Sequence, residues 1–138
     1  MTNFVLDCSV AAAWLFDDEA SPETDELLQS LRNTRAIVPS IWHLELGNVL
    51  VQAERRNRIT AAQIANRIEL LNTLPISTDH ETSGRAFNEI ISIARERNLT
   101  TYDAAYLELA MRTNNPLATL DKALIRAAHL ADVITLPD

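Results

Sequence analysis

Four carboxylates stand where side chains could do chemistry. Asp7 follows the apolar run Phe4-Val5-Leu6, and Asp121 follows Leu117-Ala118-Thr119-Leu120. Each precedes a helical pattern and could serve as a helix cap, accepting hydrogen bonds from free helical N–H groups. Asp103 lies three residues after Thr100, close to capping-box spacing. It also heads a helical face shared with Tyr106, Leu107 and Ala110, whereas Glu108 and Arg112 mark a different face. That placement predicts an inward-pointing carboxylate. Glu45 has the weakest structural explanation. It lies inside Ile41–Val51, well past the first turn, in a narrow polar stripe with Asn48 and Gln52. Burying such a group unpaired costs several kcal/mol, and no Lys or Arg occurs between Ile41 and Glu54 to pair with it.

If these four acids converge, their mutual repulsion raises their pKa values unless a cation neutralises them. An all-oxygen donor set of this kind suits Mg2+ or Mn2+ and not zinc. Other chemistries are poorly supplied. Cys8 is the single cysteine, which excludes a disulfide framework and a thiolate-rich metal site, and it reads as a small buried residue. His43, His80 and His129 fall in three separate helical segments, with no pair suited to acid–base cleavage through an RNA 2′-hydroxyl. Two glycines, Gly47 and Gly84, cannot build a GxGxxG turn or a GxxxxGK[ST] phosphate loop.

The elements that would position the acids alternate along the chain. Strands are expected over Asn3–Leu6, Ala36–Val38, Pro75–Ser77, Leu117–Thr119 and Val133–Thr135. Helices are expected over Val10–Phe16, Pro22–Arg32, Ile41–Arg56, Ala61–Leu74, Asp79–Arg97, Tyr102–Thr113 and Lys122–Ala131. Ser21-Pro22 marks one helix start. Thr60 and Gln63 form a capping box stapled by Ile59 and Ile64, and Thr78 with Glu81 is expected to form another. Strands separated by helices imply a mainly parallel sheet covered on both faces. Ligands of such sheets bind beyond the carboxyl ends of the strands, where Asp7 and Asp121 fall.

The 138 residues suit one domain, 1–138, and the 47% hydrophobic content with 5% aromatic implies a core of Ala, Leu and Ile. Trp14, Leu15, Phe16, Ile41, Trp42, Leu46, Val49 and Leu50 are core candidates. The longest uncharged stretch near the N-terminus, Cys8–Phe16, is far short of the ~20 residues that span a bilayer. With no basic n-region before it, a cytoplasmic location is expected. A net charge of −7 argues against non-specific adhesion to nucleic acid or anionic membrane.

Four segments resemble the acidic motifs of PIN-domain ribonucleases. Phe4-Val5-Leu6-Asp7-Cys8-Ser9-Val10-Ala11 is similar to the opening strand and first motif. Trp42-His43-Leu44-Glu45-Leu46-Gly47-Asn48 resembles the second, Tyr102-Asp103-Ala104-Ala105-Tyr106-Leu107-Glu108-Leu109-Ala110 the third, and Leu117-Ala118-Thr119-Leu120-Asp121 the fourth. The likeness is nearest to the VapC toxins of VapBC toxin–antitoxin pairs. Cys8, where alanine is common, and Glu108, where a small or apolar residue is common, depart from the pattern without removing an acid.

The resemblance implies a three-layer α/β/α domain with a mainly parallel, roughly five-stranded sheet. It implies Mg2+-dependent hydrolysis of RNA, with Mn2+ able to substitute, leaving 5′-phosphate and 3′-hydroxyl ends. By position, Asp7, Glu45, Asp103 and Asp121 would form the acidic centre, Asp7 and Asp103 holding the metal. Ser9, Asn48 and Thr119 would support them. A VapB-type antitoxin and a homodimer are implied as partners. Arg55, Arg56 and Arg58, in the turn between two helices, are candidate phosphate contacts, or cations suited to the end of a helix. The alternatives are a haloacid-dehalogenase-like phosphatase, which would need an Asp where Ser9 stands, and a non-catalytic PIN-like scaffold.

Overall fold

The computed structural model describes residues 2–138. Phe4–Leu6 (β1), Ala36–Pro39 (β2), Ile76–Asp79 (β3), Leu117–Ala118 (β4) and Thr135–Leu136 (β5) form one sheet in the order β3-β2-β1-β4-β5. Every neighbouring pair is parallel, as the alternation of short apolar runs with helical patterns predicts. Val5 pairs with Ile37 on one side and with Leu117 on the other, so β1 is the central strand. The chain builds outward from β1 through β2 to β3, then returns to the other side of β1 for β4. That reversal puts the topological switch point at the carboxyl ends of β1 and β4, the place where ligands of such sheets bind.

Around the sheet lie α1 (Cys8–Leu15), a 3-10 turn (Asp17–Glu19), α2 (Pro22–Ser30), α3 (Trp42–Arg55) and α4 (Ala61–Thr73). They are followed by α5 (Thr82–Arg85), a π-helical turn (Ala86–Ile90), α6 (Ile91–Arg97), α7 (Thr101–Thr113) and α8 (Lys122–Leu130). All three residues of β1 are fully buried. Helix α7 is buried along the continuous run Ala104–Ala110, and Ala104, Ala105 and Ala110 let it lie close to its neighbours. Of the candidate core residues, Leu15, Phe16, Trp42, Leu46 and Leu50 are buried, with Trp14, Ile41 and Val49 packed partly buried against them.

Three helix starts follow the sequence signals. Ser21 with Thr24 and Thr60 with Gln63 close reciprocal capping boxes, and Thr100 accepts from the Asp103 N–H. The expected Thr78–Glu81 box does not form. Thr78 and Asp79 instead extend β3 by pairing with Val38 and Pro39, and the next helix begins only at Thr82. The single helix expected over Asp79–Arg97 is broken accordingly into α5, the π-helical turn and α6.

Scarcity of glycine is met by asparagine and aspartate. Asn57, Asn98, Asn114 and Asp132 adopt positive φ between 53° and 59° just beyond helix ends, where glycine is usual. In each case the following N–H reaches back five residues to a helical carbonyl: Arg58 to Ala53, Leu99 to Ala94, Asn115 to Ala110 and Val133 to Ala128, at 2.8–3.0 Å. These are the long bonds of Schellman closures, and short polar side chains tolerate the left-handed conformation they require.

Candidate active site

Strand β1 ends at Leu6, so Asp7 is the first residue beyond the central strand. It has the backbone conformation of an N-cap for α1, yet its side chain makes no cap hydrogen bond. Instead the Ser9 and Thr119 hydroxyls both donate to Asp7 Oδ2, at 2.7 and 2.8 Å. Ser9 Oγ in turn accepts from the Leu120 N–H at 2.9 Å, and Thr119 Oγ1 from the Asp121 N–H at 3.1 Å. The β1–α1 and β4–α8 junctions are thereby tied together through one carboxylate. Burial raises the Asp7 pKa, and the two hydroxyls oppose that rise.

Asp121 is the N-cap of α8 and accepts from the Leu124 N–H at 3.0 Å through Oδ1. Its capping role is therefore real, and its exposed carboxylate still acts on the site: with Asp7 and Glu45 it raises Asp103 by charge repulsion. Asp103 is half-buried in the first turn of α7. Its backbone N–H satisfies the Thr100 cap while its carboxylate stays free. Desolvation first, and then the charges of Asp7, Asp121 and Glu45, bring its pKa up to about 6. Glu45 lies in the first turn of α3, not well past it as the sequence suggests, because the helix begins only at Trp42; it accepts a hydrogen bond from the buried Tyr106 hydroxyl at 2.5 Å. Burial raises its pKa, the Tyr106 bond opposes this, and the Asp7 charge adds to it.

These four acids thus influence one another around one rim of the sheet. Among the described residues no Lys or Arg forms an ion pair with any of them. Nor do any three His, Cys, Asp or Glu side chains stand at the spacing of a preassembled metal cage. An open, cation-free set of oxygens fits Mg2+ or Mn2+, which keep several waters and take only one or two direct carboxylates. Cys8, beside Asp7, is pushed up to about 12, chiefly by burial, and so carries no thiolate.

Not every candidate joins this rim. Asn48 is exposed one turn beyond Glu45. Arg55 lies ten residues beyond Glu45 on the same helix, about 15 Å along its axis. Arg55 and Arg56 are exposed, whereas Arg58 is committed to Asp18 at 2.9 Å and Glu19 at 2.8 Å and lies over the Phe16 ring at 4.3 Å. The histidines remain dispersed: His43 packs edge-on to Trp42, and His129 bonds Thr135 at 2.8 Å. Tyr106 is the site neighbour that carboxylate spacing alone misses. The helical period places it on the Asp103 face, but its bond to Glu45 joins residues 61 apart.

Residues 4–130 match the PIN domain family, and the chain belongs to that family. It is 24% identical over 122 residues to "Ribonuclease VapC3" of Pyrobaculum aerophilum, covering 88% of this chain and 92% of that protein. The fold is similar to the crystal structure of PAE2754 from Pyrobaculum aerophilum, with a TM-score of 0.71 and 22% identity over 99% of this chain and 92% of that one. It is also similar to VapBC2 from Rickettsia felis, solved bound to a DNA fragment from its promoter. There the TM-score is 0.68 and the identity 15%, over 98% of this chain and 97% of that one. No described helix is long and apolar enough to cross a membrane.

Proposed function

We propose that this chain is a Mg2+-dependent endoribonuclease of the VapC type, the toxin of a type II toxin–antitoxin pair. The observation that carries the proposal is the meeting of Asp7, Glu45, Asp103 and Asp121 at the carboxyl edge of the sheet with no paired cation. Membership of the PIN family and likeness to a named ribonuclease support the same reading. They weigh against a phosphatase of the haloacid-dehalogenase type, which also lacks its second Asp here because that place is held by Ser9. Residues 1–138 act as one catalytic domain, as a homodimer in the cytoplasm, and a VapB-type antitoxin holds the activity in check. The likeness to VapBC2 of Rickettsia felis is the support for that partner.

Asp7 and Asp103 would hold the ion, with Mn2+ able to replace Mg2+. When bound, the ion neutralises charge on the scissile phosphate and makes an attacking water more acidic. Ser9 and Thr119 donate their protons to Asp7 Oδ2, which fixes the carboxylate plane for its role. Glu45 and Asp121 would orient water around the ion without binding it directly. In-line attack forms a bond from water oxygen to phosphorus and breaks the bond to the 3′-oxygen. The products are a 5′-phosphate and a 3′-hydroxyl, the leaving oxygen having taken a proton. Arg55 and Arg56 are the free guanidiniums for a more distant stretch of the RNA backbone.

The test is cleavage of single-stranded and structured RNAs by the purified chain, with Mg2+ and with EDTA, alongside Asp7→Asn and Asp103→Asn. Mg2+-dependent cleavage that disappears in both variants supports the reading. Metal-independent cleavage, a cyclic phosphate product, or full activity in either variant would overturn it.

A further inference from the structure

Cys8, Tyr106 and Glu45 come from three helices and meet in one hydrogen-bonded chain. Tyr106, on the buried helix α7, is fully enclosed, and its hydroxyl donates to Glu45 Oε1 at 2.5 Å. A phenol has only one proton to give. The contact between Cys8 Sγ and the Tyr106 hydroxyl oxygen, at 3.6 Å, can then draw only on the single thiol proton, which the Trp42 carbonyl also accepts. The same thiol lies 3.6 Å from the Trp42 carbonyl, in the first turn of the helix that carries Glu45. The phenol therefore donates to the carboxylate, and the thiol packs against the phenol oxygen and the Trp42 carbonyl from the other side. A bond to an ionised acceptor is among the stronger hydrogen bonds, and a chain of donors polarises each successive bond.

We propose that Tyr106 is the positioning residue of the acidic site, holding Glu45 by one oxygen while Cys8 holds the phenol. With Oε1 occupied, the carboxylate keeps one orientation and presents Oε2 to the waters shared with Asp7 and Asp103. Tyr106 lies three residues after Asp103, so α7 both supplies one acid and orients another. This arrangement gives the Cys8 departure from alanine a purpose: it supplies the donor that alanine lacks. The inference rests on the metal-dependent reading above.

The experiment measures Mn2+ affinity of the intact chain by titration calorimetry, without RNA. The variants are Tyr106→Phe, Cys8→Ala, Glu45→Gln, Asp103→Asn and the Tyr106→Phe/Glu45→Gln double variant. Glu45 would reach the ion through water, and loss of such an outer partner typically costs about 10–100-fold in affinity. Tyr106→Phe is therefore expected to weaken Mn2+ binding about 10-fold with a native circular dichroism spectrum, and Cys8→Ala about 3-fold. In the Glu45→Gln background, Tyr106→Phe should add little, because its effect acts through that carboxylate. On RNA, kcat should fall while KM holds. Unchanged Mn2+ affinity in Tyr106→Phe, with Asp103→Asn still deficient, overturns the positioning role alone. So does an equal loss in the Glu45→Gln background. Absence of Mn2+ binding by the unaltered chain overturns the metal reading and this inference together. If Tyr106→Phe does not fold, the Cys8→Ala result decides between the same outcomes.

Discussion

Helix α7 contributes to two carboxylate clusters that the fold treats in opposite ways. Asp103, in its first turn, meets Asp7, Glu45 and Asp121 with no paired cation. Glu108, five residues later, meets Asp79 and Glu81 around Arg112. That guanidinium donates to Glu108 at 2.8 Å and to both oxygens of Asp79 at 2.8 and 3.1 Å. Arg85 adds an ion pair to Glu81 at 3.0 Å. Arg112 holds the Asp79 carboxyl below its ordinary range, whereas Asp103 is brought up to about 6. With 19 acidic residues against 12 basic ones some carboxylates must go unpaired, and the fold leaves this cluster among them. One cluster is closed by its own arginines, joining edge strand β3 to α7; the other has no cation partner, which the proposed metal would supply.

The largest expected contrast is in activity. Asp103→Asn or Asp7→Asn should reduce RNA cleavage by more than about 100-fold, since even supporting partners of a metal ligand cost about 10–100-fold. Glu108→Gln, on the same helix, should leave kcat nearly unchanged in protein that remains folded. Single-turnover cleavage of a labelled RNA reads both. Equal losses at the two positions would erase the distinction between the clusters.

Stability should respond the other way. Arg112→Met leaves Asp79, 14% exposed, without its ion pair and Glu108, 5% exposed, with only Arg85 at 3.8 Å. Breaking a buried pair from one side typically costs about 3–5 kcal/mol, and the partial exposure of Arg112 favours the lower figure, about 3 kcal/mol. Urea denaturation at pH 7 measures it. The pH dependence follows from the depressed Asp79 carboxyl. Its contribution is complete above the unfolded pKa near 4 and disappears as pH falls through its lower folded value. The unaltered chain should therefore lose this increment below about pH 4, and Arg112→Met should show a flatter acid limb.

At the open cluster, removing a charge should stabilise. The native Asp103 binds its proton up to about pH 6, while the unfolded one releases it near 3.8. Between those values the folded state holds more protons, so stability falls as pH rises and remains reduced above about 6. A shift of that size corresponds at face value to about 3 kcal/mol, and solvent screening at a half-exposed carboxylate reduces it to about 1 kcal/mol. Asp103→Asn should accordingly melt several degrees higher at pH 7.5 and show little gain at pH 4. Millimolar Mg2+ should raise the melting temperature of the unaltered chain and close part of that gap.

What the sequence makes legible divides along the same line. Asp7 and Asp121 follow strand ends and could each be a helix cap, Asp103 has capping-box spacing, and only Glu45 lacks a local explanation, so the four stand out as a set through their likeness to the PIN motifs. The parallel sheet follows from alternation. Interactions closed only by tertiary structure are not legible. Thr78 and Glu81 have the spacing of a capping box, but pairing of Thr78 and Asp79 with β2 outweighs a local cap. Glu108 and Arg112 fall on another face of α7, as the helical period predicts, yet nothing local shows that Asp79, 33 residues away, buries them together. Tyr106 reads as core from its period, and its acceptor on α3 is invisible without the fold. Arg58 reads as free in its turn because its partners, Asp18 and Glu19, lie some forty positions earlier.

That last pairing supports the smallest expected effect. Three arginines sit together in the α3–α4 turn, but only Arg55 and Arg56 are without a carboxylate partner among the described residues. Each phosphate that a cation ceases to neutralise lowers the slope of log affinity against log salt by about 0.7 on a single strand. Arg55→Ala with Arg56→Ala should therefore flatten the salt dependence of RNA binding by about 1.4 if both touch phosphate. Arg58→Ala should leave the slope alone, since its charge already answers Asp18 and Glu19. Fluorescence anisotropy with a cleavage-deficient Asp7→Asn background separates the cases. An unchanged slope in the double variant would remove this turn from the RNA path, and a flatter slope in Arg58→Ala would mean that RNA displaces the two acids. If both arginines touch phosphate, the net charge of −7 is compatible with RNA binding, because these cations would act locally, about 15 Å along α3 from the acids.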